Sequence, residues 1–152
     1  MLDFGIVKQV EVDEKKDSQL TQVGVISGTP AFMAPEMASG EGEIDGRADI
    51  YALGCVAYWL LTAQMVFEKP SALGMIVAHT NEKPMPISGR TQVPVPEPLE
   101  RVIMQCLAKR PEDRPQSTME LSLMLAELNL ESQWTAERAG QWWEEHEERN
   151  RD

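Results

Sequence analysis

Two short motifs near the start of the chain carry residue types that could take part in phosphate chemistry. Asp3 opens the tripeptide Asp-Phe-Gly, and residues 28–36 read Gly-Thr-Pro-Ala-Phe-Met-Ala-Pro-Glu. A carboxylate such as that of Asp3 can hold the magnesium ion that neutralises phosphate charge during phosphoryl transfer. Alone, the tripeptide is equally compatible with a chance turn, and Thr29 with a turn threonine that bonds its own backbone. The two motifs in this order, at this separation, form a far more specific pattern than either one.

With both motifs present, the sequence resembles the C-terminal part of a serine/threonine protein kinase of the eukaryotic-like, bacterial type. Residues 107–117, which read Leu-Ala-Lys-Arg-Pro-Glu-Asp-Arg-Pro-Gln-Ser, and the tryptophan-containing tail beyond Trp134 are similar to the same family. The resemblance covers about residues 1–130. It implies a protein that phosphorylates Ser or Thr on protein substrates, with ATP and Mg²⁺ as cofactors of the complete kinase.

The resemblance also implies roles for residues of the two motifs. Asp3 would bind the magnesium ion and, through it, ATP. Phe4 would pack to set the active or inactive state, and Gly5 would have a structural role. Thr29 would lie beside the catalytic aspartate and lysine and help to place the substrate hydroxyl. A threonine at this position, instead of the proline-rich stretch of tyrosine kinases, favours Ser/Thr substrates.

Three further residues are implied to have structural roles. The resemblance implies that Glu36 forms a buried ion pair with Arg114, which lies in the loop before the last core helix. Arginine suits this role because its planar fork can meet a carboxylate with two hydrogen bonds. The alternative is two solvated charges. Asp49 would hold the backbone of the catalytic loop; it would also suit a helix N-terminus, where the macrodipole favours an acid, and both can be true.

The polar stretch between the motifs, residues 9–27, is predicted to be an exposed activation loop. Ser18, Thr21 and Ser27 are its phosphorylation candidates, because added negative charge there can pair with arginine and order the loop. Thr21 is the preferred acceptor. The alternative is that all three are ordinary polar loop residues.

Several parts of a complete kinase have no counterpart in these 152 residues. The sequence contains no Gly-rich phosphate loop with its pattern of glycines, no ATP-binding lysine with its glutamate partner, and no H-R-D-x-x-x-x-N catalytic loop. We therefore expect a kinase fragment, without the small lobe and the catalytic base, that is inactive alone. A free-standing, non-catalytic module that binds a kinase or a substrate is the second hypothesis, and an unstable pseudogene product the third. Met1 could be a true start or an internal methionine.

The predicted fold is mainly α, the large lobe of a kinase built as a helical bundle around a central hydrophobic helix. Residues 1–130 form the partial kinase domain, with an activation segment over 3–36 and a helical subdomain over 37–130. The central helix is predicted at 47–63, and because it is apolar on every face it is expected to be buried all round. Other helices are predicted at 71–82, 99–107 and 117–128. The proline-rich residues 83–98 are expected to be extended.

Residues 131–152 differ in composition, with seven acidic and three basic residues and three tryptophans. They predict an acidic terminal helix that packs a tryptophan edge and solvates its other faces.

Composition narrows the possible partners. The formal net charge of −11 disfavours nucleic acids and anionic membrane surfaces as binding partners.

Cys55 and Cys106 lie in apolar helical patterns and are expected to be reduced and buried. His79 and His146 have no neighbours at zinc-ligand spacing. The longest apolar stretch is short for a membrane span, and no signal pattern opens the chain, so a cytoplasmic setting is expected.

Overall fold

The structure is a computed structural model that describes residues 29–40, 43–128, 130 and 134–149. Its elements are six α-helices and three short 3₁₀ turns, with no strand among the described residues. The helices are α1 (Pro35–Ser39), α2 (Gly46–Thr62), α3 (Ala72–Asn81), α4 (Glu97–Cys106), α5 (Thr118–Ala126) and α6 (Ala136–Arg149), and the 3₁₀ turns span Pro30–Phe32, Ile87–Gly89 and Pro111–Asp113. The mainly α large-lobe architecture expected from the sequence is confirmed.

Helix α2 begins and ends at residues that suit those positions. The Asp45 side chain accepts a hydrogen bond from the backbone N–H of Arg47, which caps the N-terminus. At the other end Ala63 adopts a left-handed conformation with φ of 54°, and its N–H donates to the carbonyl of Trp59. Helix α5 has a related start, because the Ser117 hydroxyl accepts from the N–H of Glu120.

The core forms where α2 meets α3, α4 and the connecting segments. Tyr51, Cys55 and Tyr58 point from α2 into this core and are at most 1% exposed. Around them pack buried apolar residues from the rest of the bundle, namely Val66, Phe67, Ala78, Ile87, Ile103 and Leu107. A second buried cluster joins α2 to α4 and α5 through Ile50, Val102, Cys106 and Leu121. Both cysteines are buried and unpaired, as predicted.

Helices α2 and α4 approach closely at a glycine. A Cβ atom at Gly54 would lie 2.8 Å from the Cβ of Cys106, a distance that no real side chain tolerates. Glycine at this position therefore sets the separation of the two helices, and the rows of buried residues on either side of it can interlock.

The prediction that α2 is buried on every face is wrong. Its second face carries Leu53, Val56, Trp59 and Leu60, which are 51%, 39%, 44% and 69% exposed. The other described helices cover the side of α2 that carries Ile50, Tyr51 and Tyr58 and leave this second face open. The apolar pattern gave the residue types on each face of α2, but it could not indicate which other parts of the chain pack against that face.

The expectation for the proline-rich residues 83–98 also needs correction. The proline-rich stretch is not extended throughout, because it contains the 3₁₀ turn at Ile87–Gly89 and because α4 already begins at Glu97, with Pro98 in its first turn. Proline is compatible with that position since the first helical N–H groups have no partner inside the helix.

The terminal helix α6 is present, but its tryptophans do not form a packed edge. Trp134, Trp142 and Trp143 are 64%, 40% and 60% exposed. Trp142 instead contacts residues of its own helix: it meets Trp143 edge-on at 4.8 Å and stacks on His146 at 3.9 Å between ring centroids. Local stacking replaces the expected packing. No helix of the described residues is both long and apolar enough to span a bilayer.

Candidate functional site

The segment that carries Thr29 is shaped by its prolines and one glycine. Pro30 and Pro35 open the 3₁₀ turn and α1, where a missing N–H costs no hydrogen bond. The carbonyl of Thr29 accepts from the N–H of Phe32 at 3.0 Å. Gly40 ends α1 with φ of 67°, a conformation that glycine adopts without strain. The result is a turn followed by one helical turn, which places Thr29 at its edge.

Thr29 is exposed, and its side chain makes no capping hydrogen bond to the turn it precedes. The residues that follow it are buried: Ala31, Met33 and Ala34 are 7%, 8% and 0% exposed. They contact α2 and α3. The turn is thus anchored by its apolar side chains while the threonine hydroxyl is left accessible.

Beneath this segment the structure brings Glu36 and Arg114 together. Arg114 Nη1 donates to Glu36 Oε1 at 2.7 Å, and Nη2 donates to Oε2 at 2.8 Å. The side chains are 0% and 8% exposed. This is the two-pronged, buried geometry in which an arginine–carboxylate pair is strongest.

Every N–H donor of the Arg114 guanidinium has an acceptor. Besides the two bonds to Glu36, Nε donates to the carbonyl of Ala108 at 2.8 Å, Nη1 to that of Arg47 at 2.9 Å, and Nη2 to that of Lys109 at 2.9 Å. The ring of Tyr51 lies under the guanidinium, 4.8 Å from its central carbon. Arg114 therefore joins α1, the start of α2 and the loop after α4 at one buried point.

Asp49 lies in the first turn of α2 and is exposed. That position suits a helix N-terminal acid. The neighbouring charges are tied up separately: Arg47 binds Asp45 at 2.7 Å and donates to the Gln116 side chain. Hydrogen bonding to Arg47 lowers the pKa of Asp45.

The remaining predicted site residues, Asp3, Phe4, Gly5, Ser18, Thr21 and Ser27, lie outside the described residues. Within the described ranges no cluster of three or more His, Cys, Asp or Glu could hold a metal ion. The described part of the candidate site thus consists of the Thr29 turn, the Glu36–Arg114 pair and Asp49.

Comparison with known proteins identifies the family of the chain. The family model described as the protein kinase domain matches residues 1–126. The chain belongs to the protein kinase family. It is 45% identical over 114 residues to the serine/threonine-protein kinase Pkn1 of Myxococcus xanthus, which covers 75% of this chain and 16% of Pkn1. It is 42% identical over 119 residues to serine/threonine-protein kinase A of Synechocystis sp., covering 77% of this chain and 21% of that protein.

A third bacterial relative extends the similarity toward the end of the chain. The DNA damage-responsive serine/threonine-protein kinase RqkA of Deinococcus radiodurans is 38% identical over 142 residues, 93% of this chain and 20% of RqkA. The kinase chain is therefore of the bacterial serine/threonine type, and it spans about a sixth to a fifth of the length of these curated relatives.

Sequence reasoning missed several residues that surround the Glu36–Arg114 pair and the Thr29 turn. Tyr51 supports Arg114, and the carbonyls of Arg47, Ala108 and Lys109 bind it. Backbone acceptors carry no residue-type signal, so no motif could have indicated them. His79, buried beneath the Thr29 turn, has no neighbours at metal-ligand spacing, so its sequence context did not indicate a functional role.

Proposed function

We propose that this chain supplies the substrate-facing part of a serine/threonine protein kinase, which transfers the γ-phosphoryl group of ATP to Ser or Thr of protein substrates. The observation that carries the proposal is the exposed Thr29 on a turn whose following residues are buried and clamped by the Glu36–Arg114 pair. Phosphoryl transfer depends mainly on positioning and charge stabilisation, so a rigidly held hydroxyl beside the reacting groups is of direct use.

In this proposal the chain's residues orient the acceptor. The Thr29 hydroxyl would bond the groups that hold the substrate hydroxyl in line with the phosphoryl group, and the Glu36–Arg114 clamp would keep the turn from moving. Asp3 would hold Mg²⁺, which supplies charge stabilisation on the phosphates when ATP is bound. The unpaired buried thiols suit a reducing compartment, and we place the kinase in the cytoplasm.

The 152 residues by themselves are expected neither to phosphorylate substrates nor to bind ATP–Mg²⁺ tightly. They contain no Gly-rich loop, ATP lysine or catalytic aspartate, and positioning and electrostatics are nearly the whole of this catalysis. The isolated chain would be assayed with labelled ATP and by calorimetry. Autophosphorylation that Asp3→Ala abolishes would contradict this expectation.

A chimaera tests the proposed function directly. The chain would replace the region of Myxococcus xanthus Pkn1 to which it is similar, so that Pkn1 provides the remaining kinase parts. We expect phosphorylation of a protein substrate on Ser or Thr. Thr29→Ala should lower kcat/KM about tenfold or more, whereas Thr29→Ser should retain most of it, because only the hydroxyl is used. Thr118→Ala, at an exposed threonine of α5, is the matched control.

A folded chimaera without activity would contradict the kinase proposal and favour the non-catalytic binding module. The observation behind that second candidate is the exposed apolar face of α2, formed by Leu53, Val56, Trp59 and Leu60.

We also propose that phosphorylation of Thr21 raises the activity of the kinase, with Ser18 and Ser27 as the other candidates. The added charge would recruit an arginine and order the segment. Mass spectrometry after autophosphorylation would locate the phosphate, and Thr21→Ala should lower the rate. An unchanged rate, with phosphate found only on Ser18 or Ser27, would assign the role to one of those residues.

A further inference from the structure

The buried side chain of His79 lies below the Thr29 turn and has no role in the function proposed above. His79, on α3, is 0% exposed, and its Nδ1 lies 2.8 Å from the hydroxyl of Tyr51 on α2. The ring meets Tyr51 and Phe67 edge-on, at 5.7 Å and 5.0 Å between centroids. Lys109 closes the group from the loop after α4: its Nζ donates to the His79 carbonyl at 2.6 Å and lies 4.5 Å from the centre of the Phe67 ring. These four residues are called the His79 cluster.

The direction of the Tyr51–His79 hydrogen bond decides which ring nitrogen of His79 carries the proton. Burial and the nearby Lys109 ammonium lower the pKa of His79 from 6.5 to about 4, so the ring is neutral near pH 7. Burial raises the pKa of Tyr51, which therefore keeps its proton. A neutral tyrosine that donates its O–H to Nδ1 leaves the single ring proton of His79 on Nε2.

Nε2 is the group without a partner. It is buried and has no hydrogen bond to any described residue. The 3₁₀ turn that contains Ala31 contacts α3, and the Ala31 backbone raises the pKa of His79, as a carbonyl does and an N–H does not. Ala31 is the middle residue of the turn that Thr29 opens. A buried N–H without an acceptor is unfavourable, so a small movement of the turn toward α3 would be stabilised by a bond from Nε2 to this carbonyl.

We propose that His79 is a positioning residue for Thr29: its ring, held by Tyr51, donates from Nε2 to the Ala31 carbonyl and fixes the Thr29 turn for the protein substrate. The proposal rests on the proposed kinase function for its consequence, since the fixed turn presents the Thr29 hydroxyl. Its structural part concerns only the His79 cluster and the turn. One histidine thereby links α2, α3 and the substrate-facing segment.

The first test determines which ring nitrogen of His79 carries the proton. Long-range ¹H–¹⁵N correlation spectra of the 152-residue chain, with Leu53→Gln and Leu60→Gln introduced on the exposed face of α2 to limit self-association, would show which nitrogen of His79 is protonated. We expect Nε2 in the wild type and a mixture of both forms in Tyr51→Phe, which removes only the hydroxyl. Tyr58→Phe is a closely matched control, because Tyr58 is another buried tyrosine of α2 whose hydroxyl has no described partner. A wild-type proton on Nδ1 would overturn the proposal.

The second test reads the turn through hydrogen exchange at the N–H groups of Phe32 and Met33, which donate to the carbonyls of Thr29 and Pro30. Exchange should be about tenfold faster in His79→Phe and Tyr51→Phe, as expected for loss of one hydrogen bond. It should stay near the wild-type rate in His79→Gln, whose amide can still donate from near the Nε2 position. His146→Gln, on α6, is the control. If His79→Phe does not fold, Tyr51→Phe and His79→Gln carry the comparison, and equal exchange in all variants would overturn the proposal.

The third test uses the Pkn1 chimaera. His79→Phe should raise KM for a protein substrate about tenfold and leave KM for ATP unchanged, with rescue by His79→Gln. A merely destabilised protein would lose active enzyme without this split between the two KM values. Equal effects on both KM values would overturn the positioning role. If the wild-type chimaera is inactive, the proposed function fails, whereas the protonation and exchange measurements still decide the structural part.

Discussion

At the scale of single residues, Arg114 shows what makes a buried charge tolerable. Its five N–H groups reach a carboxylate and three carbonyls, and an aromatic ring covers its face. Lysine has three donors and no planar fork, so it could not meet Glu36 and the three carbonyls at once. The residue is determined by the geometry of its acceptors as much as by its charge.

Removing either partner of this pair should be strongly destabilising. Glu36→Ala or Arg114→Ala leaves a buried charge without its counterpart and should lower the free energy of unfolding by about 3–5 kcal/mol. The double mutant should lose less than the sum of the single losses, because no lone charge remains. Denaturant melts would measure the cycle.

The matched control is Lys69→Ala, which breaks the more exposed pair of Lys69 and Glu82. It should change stability by less than about 1 kcal/mol. Single losses at Glu36 and Arg114 that are additive and equally small would show that this pair is solvated.

The buried His79 predicts that the free energy of unfolding decreases as the pH falls from 6.5 to 4. Its folded pKa, near 4, lies below the unfolded value of 6.5, so above pH 6.5 both states are neutral and the residue adds no pH dependence. As pH falls from 6.5 to 4, the unfolded chain takes up a proton that the folded chain excludes. The free energy of unfolding should therefore fall by about 2–3 kcal/mol over this window. Urea melts at several pH values should show this loss in wild type and His146→Gln, and a much smaller one in His79→Gln.

At the scale of the elements, local sequence was a good guide to the existence of helices. Ser71, Asp45 and Ser117 begin helices as capping residues, and Gly40 ends one, so the observed boundaries lie within about two residues of most predicted ones. The faces were harder to predict. Leu60 and Tyr51 are both apolar residues of α2, yet one is 69% exposed and the other buried. That difference depends on neighbours from distant parts of the chain, about which periodicity carries no information.

The contact between α2 and α4 gives a prediction at this scale. Gly54→Ala places a methyl group where the Cβ of Cys106 already lies, so it should lower stability by about 1–3 kcal/mol despite the better helix propensity of alanine. Gly140→Ala is the control, because that glycine lies within α6 with open space around it and should cause no loss. Thermal denaturation would compare the two. Equal stability of Gly54→Ala and wild type would mean that the helices can separate without cost.

At the scale of the whole molecule, sequence predicted only those residues of the candidate site that belong to family motifs. The Glu36–Arg114 pairing followed from two motifs far apart in sequence, and the structure brings these side chains together. The carbonyls around Arg114 and the His79 cluster could not be foreseen, because they depend on how α2, α3 and the loop after α4 meet.

The isolated chain is expected to self-associate. The second face of α2 exposes Leu53, Val56, Trp59 and Leu60, and contiguous apolar surface of this kind drives association despite the negative net charge. Apolar-dye binding and light scattering should both be high and should fall in a double variant with Leu53→Gln and Leu60→Gln. Val93→Gln, at an isolated exposed residue, should change neither. A monomer with a sharp melt and no dye binding would contradict this prediction.

The Glu36–Arg114 pair also has a consequence in time. The two residues are 78 positions apart. A ribosome adds about 5–20 residues per second, so Arg114 is made about 4–16 s after Glu36. Throughout that interval the glutamate has no counterpart, and the helices between them can form and pack first. The pair therefore cannot anchor the Thr29 segment before Arg114 has been synthesised, and until then only the apolar contacts of the turn can hold that segment.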